Sequence, residues 1–538
     1  MKTRETLYNT YVAAQKDNAD KVALYTRDGV AITHGRLLEE IDKVAAGLLS
    51  YKTYDNFKIG VISSSSYEEA VFLLAVNKIG AVSKFIDFTK NITEIGESVA
   101  ESSIDLLVIG AEFIPMEQFI NPAKLPVVIL GEAPSMQPNY VEYQELLTKA
   151  NGLMYPPAEY REDACAVIIN SSGTTGTPKP IELSDRAINA AVEKMVKTDY
   201  PLYESNLLLK TIPSHIGMGL ITSLYTCLIV GVPMIYLGGN SPKESIELTI
   251  GLLLGYQEFL DRHNLKNNSK LLIFGAPMYY RSIFQLIDQL NDLSFIGCML
   301  AGGSAMSKEE LEAMDAAFAE RGCNVPILNG YGQNEMAGAV TLNLNCNNRR
   351  GSAGLTVSET KFKIVDIVSG NELPRNEVGK ILEQSDSLFL QYENMADATK
   401  AAFISYDDNT VWFDTNDLGY IDDDGFLFIT GRTSRIVIRF DCKVSLDIIE
   451  NKIRMSKFVK EAGVITIKDE NHDCIVAFVV LNKENVTSEM IIDNIQKSQN
   501  PLNELEKVDR LIIVDALPHL SSGKIDYRAL EKQAEEMR

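Results

Sequence analysis

Cysteine is scarce in this 538-residue chain and falls into no pattern. Seven cysteines are scattered, with no Cys-x-x-Cys pair. This excludes a disulfide framework and a thiolate metal site, and points to a reducing cytoplasm. Positive charge is also in short supply. Lys and Arg number 51 against 73 Asp and Glu, a formal charge of −22. Such a balance excludes nucleic acid or an anionic membrane surface as the main partner. Any polyphosphate bound here must be held by local cations or a metal ion. Long apolar runs are missing too. The most apolar region, residues 218–232, is interrupted by Thr222, Ser223 and Thr226 and stopped by Pro233. It is too short for a membrane span and reads as a buried helix and strand. The residues Met1-Lys2-Thr3-Arg4-Glu5-Thr6 carry no signal-peptide core, so the expected location is cytoplasmic. There is no internal repeat and no low-complexity linker.

What is present is an ordinary globular composition, 46% hydrophobic and 23% charged, in a chain too long for one core. Two to four domains or subdomains are expected. The first 110 or so residues alternate strand and helix patterns. The segments 58–62, 81–86, 106–109 and 127–130 read as strands, and 67–79 reads as a helix capped by Ser64-Ser65-Ser66. This rhythm implies parallel pairing.

The most informative stretch is Ser171-Ser172-Gly173-Thr174-Thr175-Gly176-Thr177-Pro178-Lys179. It follows the apolar run Ala166-Val167-Ile168-Ile169, a buried strand. It precedes Ile181-Glu182-Leu183 and a helix with Ser184 as N-cap and Ile188, Ala191, Val192, Met195 and Val196 on one face. Glycines that permit close backbone approach, hydroxyls and one lysine suit a polyphosphate. A Ser/Thr/Gly cluster is usually only a solvated turn, but this one is long and ends in Pro-Lys. It is not a Walker A loop, because Thr177 and Pro178 separate Gly176 from Lys179.

The stretch closely resembles the phosphate loop of the adenylate-forming (AMP-binding) superfamily, which holds acyl-CoA synthetases, peptide-synthetase adenylation domains and luciferases. Further motifs follow in family order. Ile212-Pro213-Ser214-His215-Ile216-Gly217-Met218-Gly219 resembles the segment whose His gates the acyl pocket. A capping or core His is the rival reading. No Asp stands there to hold an ammonium, which leans the substrate away from α-amino acids. Phe274-Gly275-Ala276-Pro277-Met278-Tyr279-Tyr280 and Ala301-Gly302-Gly303-Ser304-Ala305-Met306-Ser307 resemble turns of acyl-CoA synthetases. The second implies contacts of Gly303 and Ser304 with adenine and the acyl group.

Asn329-Gly330-Tyr331-Gly332-Gln333-Asn334-Glu335 resembles the family's Tyr-Gly-x-Thr-Glu, with Asn334 in place of the threonine. The resemblance implies Tyr331 against adenine, Gly332 and Asn334 beside the nucleotide, and Glu335 on Mg2+. Gly379-Lys380-Ile381-Leu382 through Gln391-Tyr392 resembles a motif of the small β-rich subdomain and reads as structural. Trp412-Phe413-Asp414-Thr415-Asn416-Asp417-Leu418-Gly419-Tyr420, then Asp424-Gly425-Phe426 and Gly431-Arg432, resemble the ribose-binding segment, with Asn416 at a glycine position. Asp417 is implied on the ribose hydroxyls, and Arg432 on ribose or phosphate. Pro518-His519-Leu520-Ser521-Ser522-Gly523-Lys524-Ile525-Asp526 resembles the catalytic-lysine loop.

The resemblance spans essentially the whole chain and lies nearest to acyl-CoA synthetases. It implies an α/β N-terminal domain over 1–432, built of two α/β sheets and a small β-rich subdomain. A smaller, mobile α+β domain over 433–538 would turn about Ser434 and carry Lys524. Within it, Ser445 is expected to cap a helix bearing Ile448, Ile449 and Ile453, ahead of a hairpin around residues 469–473. Catalytic roles are implied for Lys524, Glu335 and His215, and nucleotide contacts for Ser171, Ser172, Gly173, Thr174, Thr175, Gly176 and Lys179. The implied ligands are ATP, Mg2+, a small carboxylic acid and CoA. The implied chemistry is attack of the carboxylate on the α-phosphorus, then thioester formation. Phe440-Asp441 stands where most relatives have a glycine pair for pantetheine, so a carrier-protein phosphopantetheine is the alternative acceptor. A nucleotide-binding protein without activity is a weaker alternative, and a luciferase-like oxygenase has no positive support.

Overall fold

The computed structural model describes residues 4–52, 54–63, 66–131, 137–149, 155–171, 178–198, 206–239, 242–266, 268–304, 306–406, 409–439, 442–469, 472–483, 485–498, 501–519 and 524–537. The chain forms two compact units. One comprises most of the first 361 residues together with Gln384–Ala401; the other includes Phe362–Glu383 and Ala402–Arg538. The expected boundary at 432/433 falls within the second unit.

The first unit is built on two large sheets. One has eight strands, in the order Gln391–Tyr392, Pro180–Ser184, Cys165–Asn170, Val82–Phe85, Lys58–Ile62, Leu106–Gly110, Val127–Leu130 and Tyr140–Glu142. From Cys165–Asn170 onward all neighbours pair in parallel. Leu106–Gly110 and Val127–Leu130 are apolar throughout, as strands covered on both faces can be, whereas Lys58, Ser83 and Lys84 bring polar side chains into the neighbouring strands. The other sheet has nine strands and a parallel centre that includes Asn206–Lys210, Lys270–Gly275, Ile296–Ala301 and the first half of Ile327–Gln333. The second half of Ile327–Gln333 runs on into an antiparallel hairpin with Gly338–Leu342.

The helix after the phosphate-loop hairpin, Asp185–Lys197, starts where expected, with the Ser184 hydroxyl accepting from the Ala187 N–H. Ile188, Ala191, Val192 and Met195 are buried, but Val196 is 48% exposed. At 100° per residue Val196 lies about 80° from Ile188, past the edge of the apolar stripe. The helix expected over 67–79 is Glu68–Lys78 and begins at Tyr67 without a side-chain cap; Ser64 and Ser65 lie outside the described residues. Residues 218–232 hold no strand. They form a wide-turned π-helix, Met218–Tyr225, and a short α-helix, Thr226–Val230, ahead of the strand Met234–Tyr236. The hydroxyls of Ser223 and Thr226 donate to carbonyls five residues earlier, at Met218 and Ile221. Such bonds suit the wide turn and leave no mark in the apolar pattern.

The second unit contains a five-stranded sheet and a three-stranded sheet, the latter Val459–Asp469, His472–Leu481 and Arg510–Ile513. The three-stranded sheet is packed on both faces. Helix Leu446–Arg454 brings Ile449 and Ile453 to one core, and helix Tyr527–Glu536 brings Leu530 and Ala534 to the other. Ser445 is the N-cap residue of the first helix but makes no capping bond, and Ile448 is exposed.

Asp185 gives this fold a pH dependence. Its carboxylate is buried and accepts hydrogen bonds from the Leu7 N–H and the Asn77 amide. Burial outweighs both bonds and pushes its pKa up to about 6. The native state therefore binds the proton more tightly than the unfolded chain, and stability falls as pH rises from about 4 to about 6. Asp185→Asn keeps an acceptor and removes the charge. The variant should gain about 1–3 kcal/mol over the wild type at pH 7.5 and little or nothing at pH 4.5. Thermal midpoints across that range check this; a difference independent of pH would refute it.

Candidate active site

The phosphate-loop hairpin ends at Ser171 and Lys179, which are clamped to each other. The Ser171 N–H donates to the Lys179 carbonyl at 2.8 Å, and the Lys179 N–H to the Ser171 hydroxyl at 2.9 Å. Ser172, Gly173, Thr174, Thr175 and Gly176 lie outside the described residues, as do Ala305, Phe440, Asp441 and residues 521–523.

Asn334 and Glu335 come to the base of this loop from a strand more than 150 residues away. The motif strand ends in a 3-10 turn, Asn334–Met336. The Asn334 amide donates to the Asn170 carbonyl at 2.7 Å and accepts from the Gly217 N–H at 3.0 Å. It thereby ties together the loop hairpin, the His215 segment and the Tyr331 strand. The asparagine therefore has a structural role at this position. Gly332 is also explained by packing. A Cβ there would meet the Gly338 carbonyl at 1.9 Å, so no other residue fits without moving the hairpin. Tyr331 is half-buried and accepts from the Gln333 amide at 3.2 Å.

Glu335 is buried, and its carboxylate accepts a hydrogen bond from the Tyr392 hydroxyl at 3.0 Å. The Tyr392 ring lies under the Lys179 ammonium, 4.7 Å from Nζ to the ring centroid. Tyr392 is thus a site residue missed in the sequence, where Gln391-Tyr392 read as part of the small β-rich subdomain. The first half of that motif does lie there, in Gly379–Gln384. The second half crosses to the large sheet and pairs with the loop hairpin, Tyr392 opposite Ile181. A two-residue strand has no period to read, so only the motif could have pointed to Tyr392.

His215 lies beside Asp87, Nε2 to Oδ1 3.2 Å, with its ring edge-on to Phe88. Burial holds its pKa below the usual histidine value; Lys210 and Lys90 act in the same direction and Asp87 against it. The neighbouring Ser214 hydroxyl donates to the buried Glu69 carboxylate at 2.6 Å, anchoring this segment to the helix Glu68–Lys78. Gly303 and Ser304 form an exposed turn after the strand Ile296–Ala301, with Gly303 at φ +90° and open space around it.

In the second unit, Asp417 and Arg432 face each other across antiparallel strands, Nε to Oδ1 3.1 Å, with Asp417 buried. Asn416 adopts φ 57°. Asparagine is the side chain most tolerant of this left-handed region after glycine, so it supports the same turn a glycine would. Lys524 is half-buried. Its loop is closed by a β-bridge between His519 and Ile525 and by the Asp526 N–H donating to the Pro518 carbonyl.

The model of the family described as AMP-binding enzyme matches residues 11–393, and that of the AMP-binding enzyme C-terminal domain matches residues 448–524. The chain belongs to the AMP-binding enzyme family. It is 26% identical over 494 residues to 4-coumarate–CoA ligase 2 of Nicotiana tabacum, covering 90% of this chain and 86% of the relative. Its fold resembles an anthranilate CoA ligase in complex with anthranoyl-AMP, at a TM-score of 0.82 and 21% identity, covering 100% of this chain and 98% of that one. It also resembles the o-succinylbenzoate CoA synthetase of Bacillus subtilis in complex with ATP and magnesium ion, at 0.78 and 19%, covering 97% and 99%. Among the described residues no helix is long and apolar enough to cross a membrane.

The Asn416 turn yields a direct test. A β-branched residue at this φ costs about 1–2 kcal/mol and displaces the adjacent Asp417. Asn416→Gly should retain wild-type ATP affinity by calorimetry, whereas Asn416→Val should weaken it. Equal affinities would show that the turn does not position Asp417.

Proposed function

We propose that this AMP-binding enzyme activates a small carboxylic acid with ATP, and that CoA then takes the acyl group. In the first step a carboxylate oxygen bonds to the α-phosphorus as the bond to the β-phosphate oxygen breaks, giving acyl-adenylate and pyrophosphate. In the second the thiol sulfur attacks the acyl carbon; AMP leaves and the thiol proton is lost. The observation that carries this reading is the linkage of three distant segments by Asn334 and Tyr392, which sets a buried carboxylate and a lysine at the base of a glycine-rich loop. The similarity to CoA ligases supports the acceptor.

The donor set fits magnesium. Mg2+ at a nucleotide takes one or two carboxylates beside phosphate oxygens and several waters, and Glu335 would hold it. The ion supplies charge neutralisation on the phosphate oxygens. We assign Ser171, Lys179 and the loop between them to the phosphates. Tyr331 would lie against adenine, as aromatic faces do, with Gly303 and Ser304 along its edge. Asp417 accepts from the ribose hydroxyls, and Arg432 extends its planar fork to ribose or phosphate. His215, kept neutral by burial, borders the acyl group. Lys524 places its ammonium between the attacking carboxylate and the α-phosphate, where negative charge meets. No side chain need act as a nucleophile; the site works by orienting and stabilising charge.

Residues 433–538 are proposed to move about Ser434 as a body, bringing Lys524 in for the first step and removing it for the second. A carrier-tethered pantetheine is a second acceptor, favoured by Phe440-Asp441 in the presumed thiol path. The scattered cysteines support a cytoplasmic setting.

The experiment separates the two steps. Lys524→Ala should lose adenylation about 10²–10³-fold yet transfer the acyl group from a supplied acyl-adenylate to CoA at near wild-type rate. An equal fall in both steps would contradict the division of labour. Glu335→Ala and Asp417→Ala should each lower pyrophosphate exchange by about 10²–10³-fold. Unchanged exchange in both would show that the nucleotide binds elsewhere.

A further inference from the structure

A cluster of buried charge lies next to Tyr392. The Glu393 carboxylate accepts from Lys84 Nζ at 2.7 Å and is also hydrogen-bonded by Lys58 Nζ. The side chains are 4%, 3% and 19% exposed for Glu393, Lys84 and Lys58. Lys58 and Lys84 come from adjacent parallel strands of the large sheet, and Lys84 is paired with Ile168 on the strand leading to the phosphate loop. Burial lowers the Lys84 pKa. Burial also acts to raise that of Glu393, but its bonds to the two lysines outweigh this and hold it below the usual carboxylate range.

Two cations and one anion are costly to bury, and apolar residues would fill the space with less penalty. The strand that the cluster holds is the reason it matters. Gln391–Tyr392 is two residues long and sits at the edge of the sheet. Its backbone is held by the ladder to Pro180–Ser184, with Leu390 N–H on the Glu182 carbonyl and Glu393 N–H on the Pro180 carbonyl, and by Tyr392 N–H on the Thr399 hydroxyl. Beyond that backbone, the Tyr392 side chain must keep its hydroxyl on Glu335 and its ring under Lys179.

We infer that the Lys58–Glu393–Lys84 cluster is a positioning device for the nucleotide site: it fixes Tyr392, and through Tyr392 the orientation of the Glu335 carboxylate. The inference rests on the reading that Glu335 holds the metal of Mg·ATP. A group that hydrogen-bonds a metal-binding carboxylate typically changes metal affinity by about 10–100-fold. The anchor of such a group acts through it and not beside it.

The test measures Mn2+ binding by electron paramagnetic resonance, with α,β-methylene-ATP present and no acid. Glu393→Gln and Tyr392→Phe should each weaken Mn2+ binding roughly tenfold. The double variant should be no weaker than the weaker single, because both changes act through one hydroxyl. Lys58→Gln, at the most exposed member of the cluster, should give a smaller loss; it carries the test if Glu393→Gln does not fold. Wild-type Mn2+ affinity in a folded cluster variant would overturn the inference, even with a lowered melting temperature. So would losses that multiply in the double variant. Glu335→Ala serves as reference. If it retains wild-type Mn2+ affinity, the metal reading itself fails; if it loses affinity while Glu393→Gln does not, only the positioning role fails.

Discussion

The hydrogen bond from the Tyr392 hydroxyl to the buried Glu335 carboxylate is the contact on which the proposed nucleotide site depends. A buried carboxylate is costly unless its charge is met, and a hydrogen bond to a charged group contributes about 1.5–3 kcal/mol. The same ring takes the Lys179 ammonium on its face, a contact of about 0.5–2 kcal/mol. One aromatic side chain therefore links the carboxylate assigned to the metal with the lysine that closes the phosphate loop. Because the chain as a whole is strongly acidic, this local pairing matters more than any long-range field.

The parallel sheets supply the frame. Strands buried on both faces leave their ends as the places where loops and polar groups gather, the usual position for a ligand in open α/β sheets. Asn334 makes that gathering specific by bonding to the ends of two other segments. Its amide donates to one of them and accepts from the other. The site accordingly combines rigid backbone contacts, such as Gly332 against Gly338, with a few polar side chains whose partners come from far along the chain.

Much of this was legible in the sequence. The apolar runs at residues 59–62, 106–109, 127–130 and 166–169 became parallel strands, as expected of strands covered on both faces. The motifs around Lys179 and Glu335 fall on segments that the fold does bring together, through Asn334 and Tyr392. Other features left no local signal. The role of Tyr392 depends on a two-residue strand crossing to another sheet. Glu393 and Lys84 meet across 309 positions. The π-turns of residues 218–225 depend on hydroxyl bonds that the apolar pattern does not encode, and Val196 was misplaced by its position at the edge of a helical stripe.

The central claim is that a carboxylic acid attacks ATP before any thiol is engaged. Acid-dependent exchange of radiolabelled pyrophosphate into ATP tests it most directly, with thiol omitted, over aryl, arylpropenoic, dicarboxylic and aliphatic acids. The account predicts that at least one of these acids drives exchange, that exchange requires Mg2+, and that adding CoA diverts the adenylate to thioester and AMP. Exchange that is absent with every acid in a protein shown to bind ATP would contradict it.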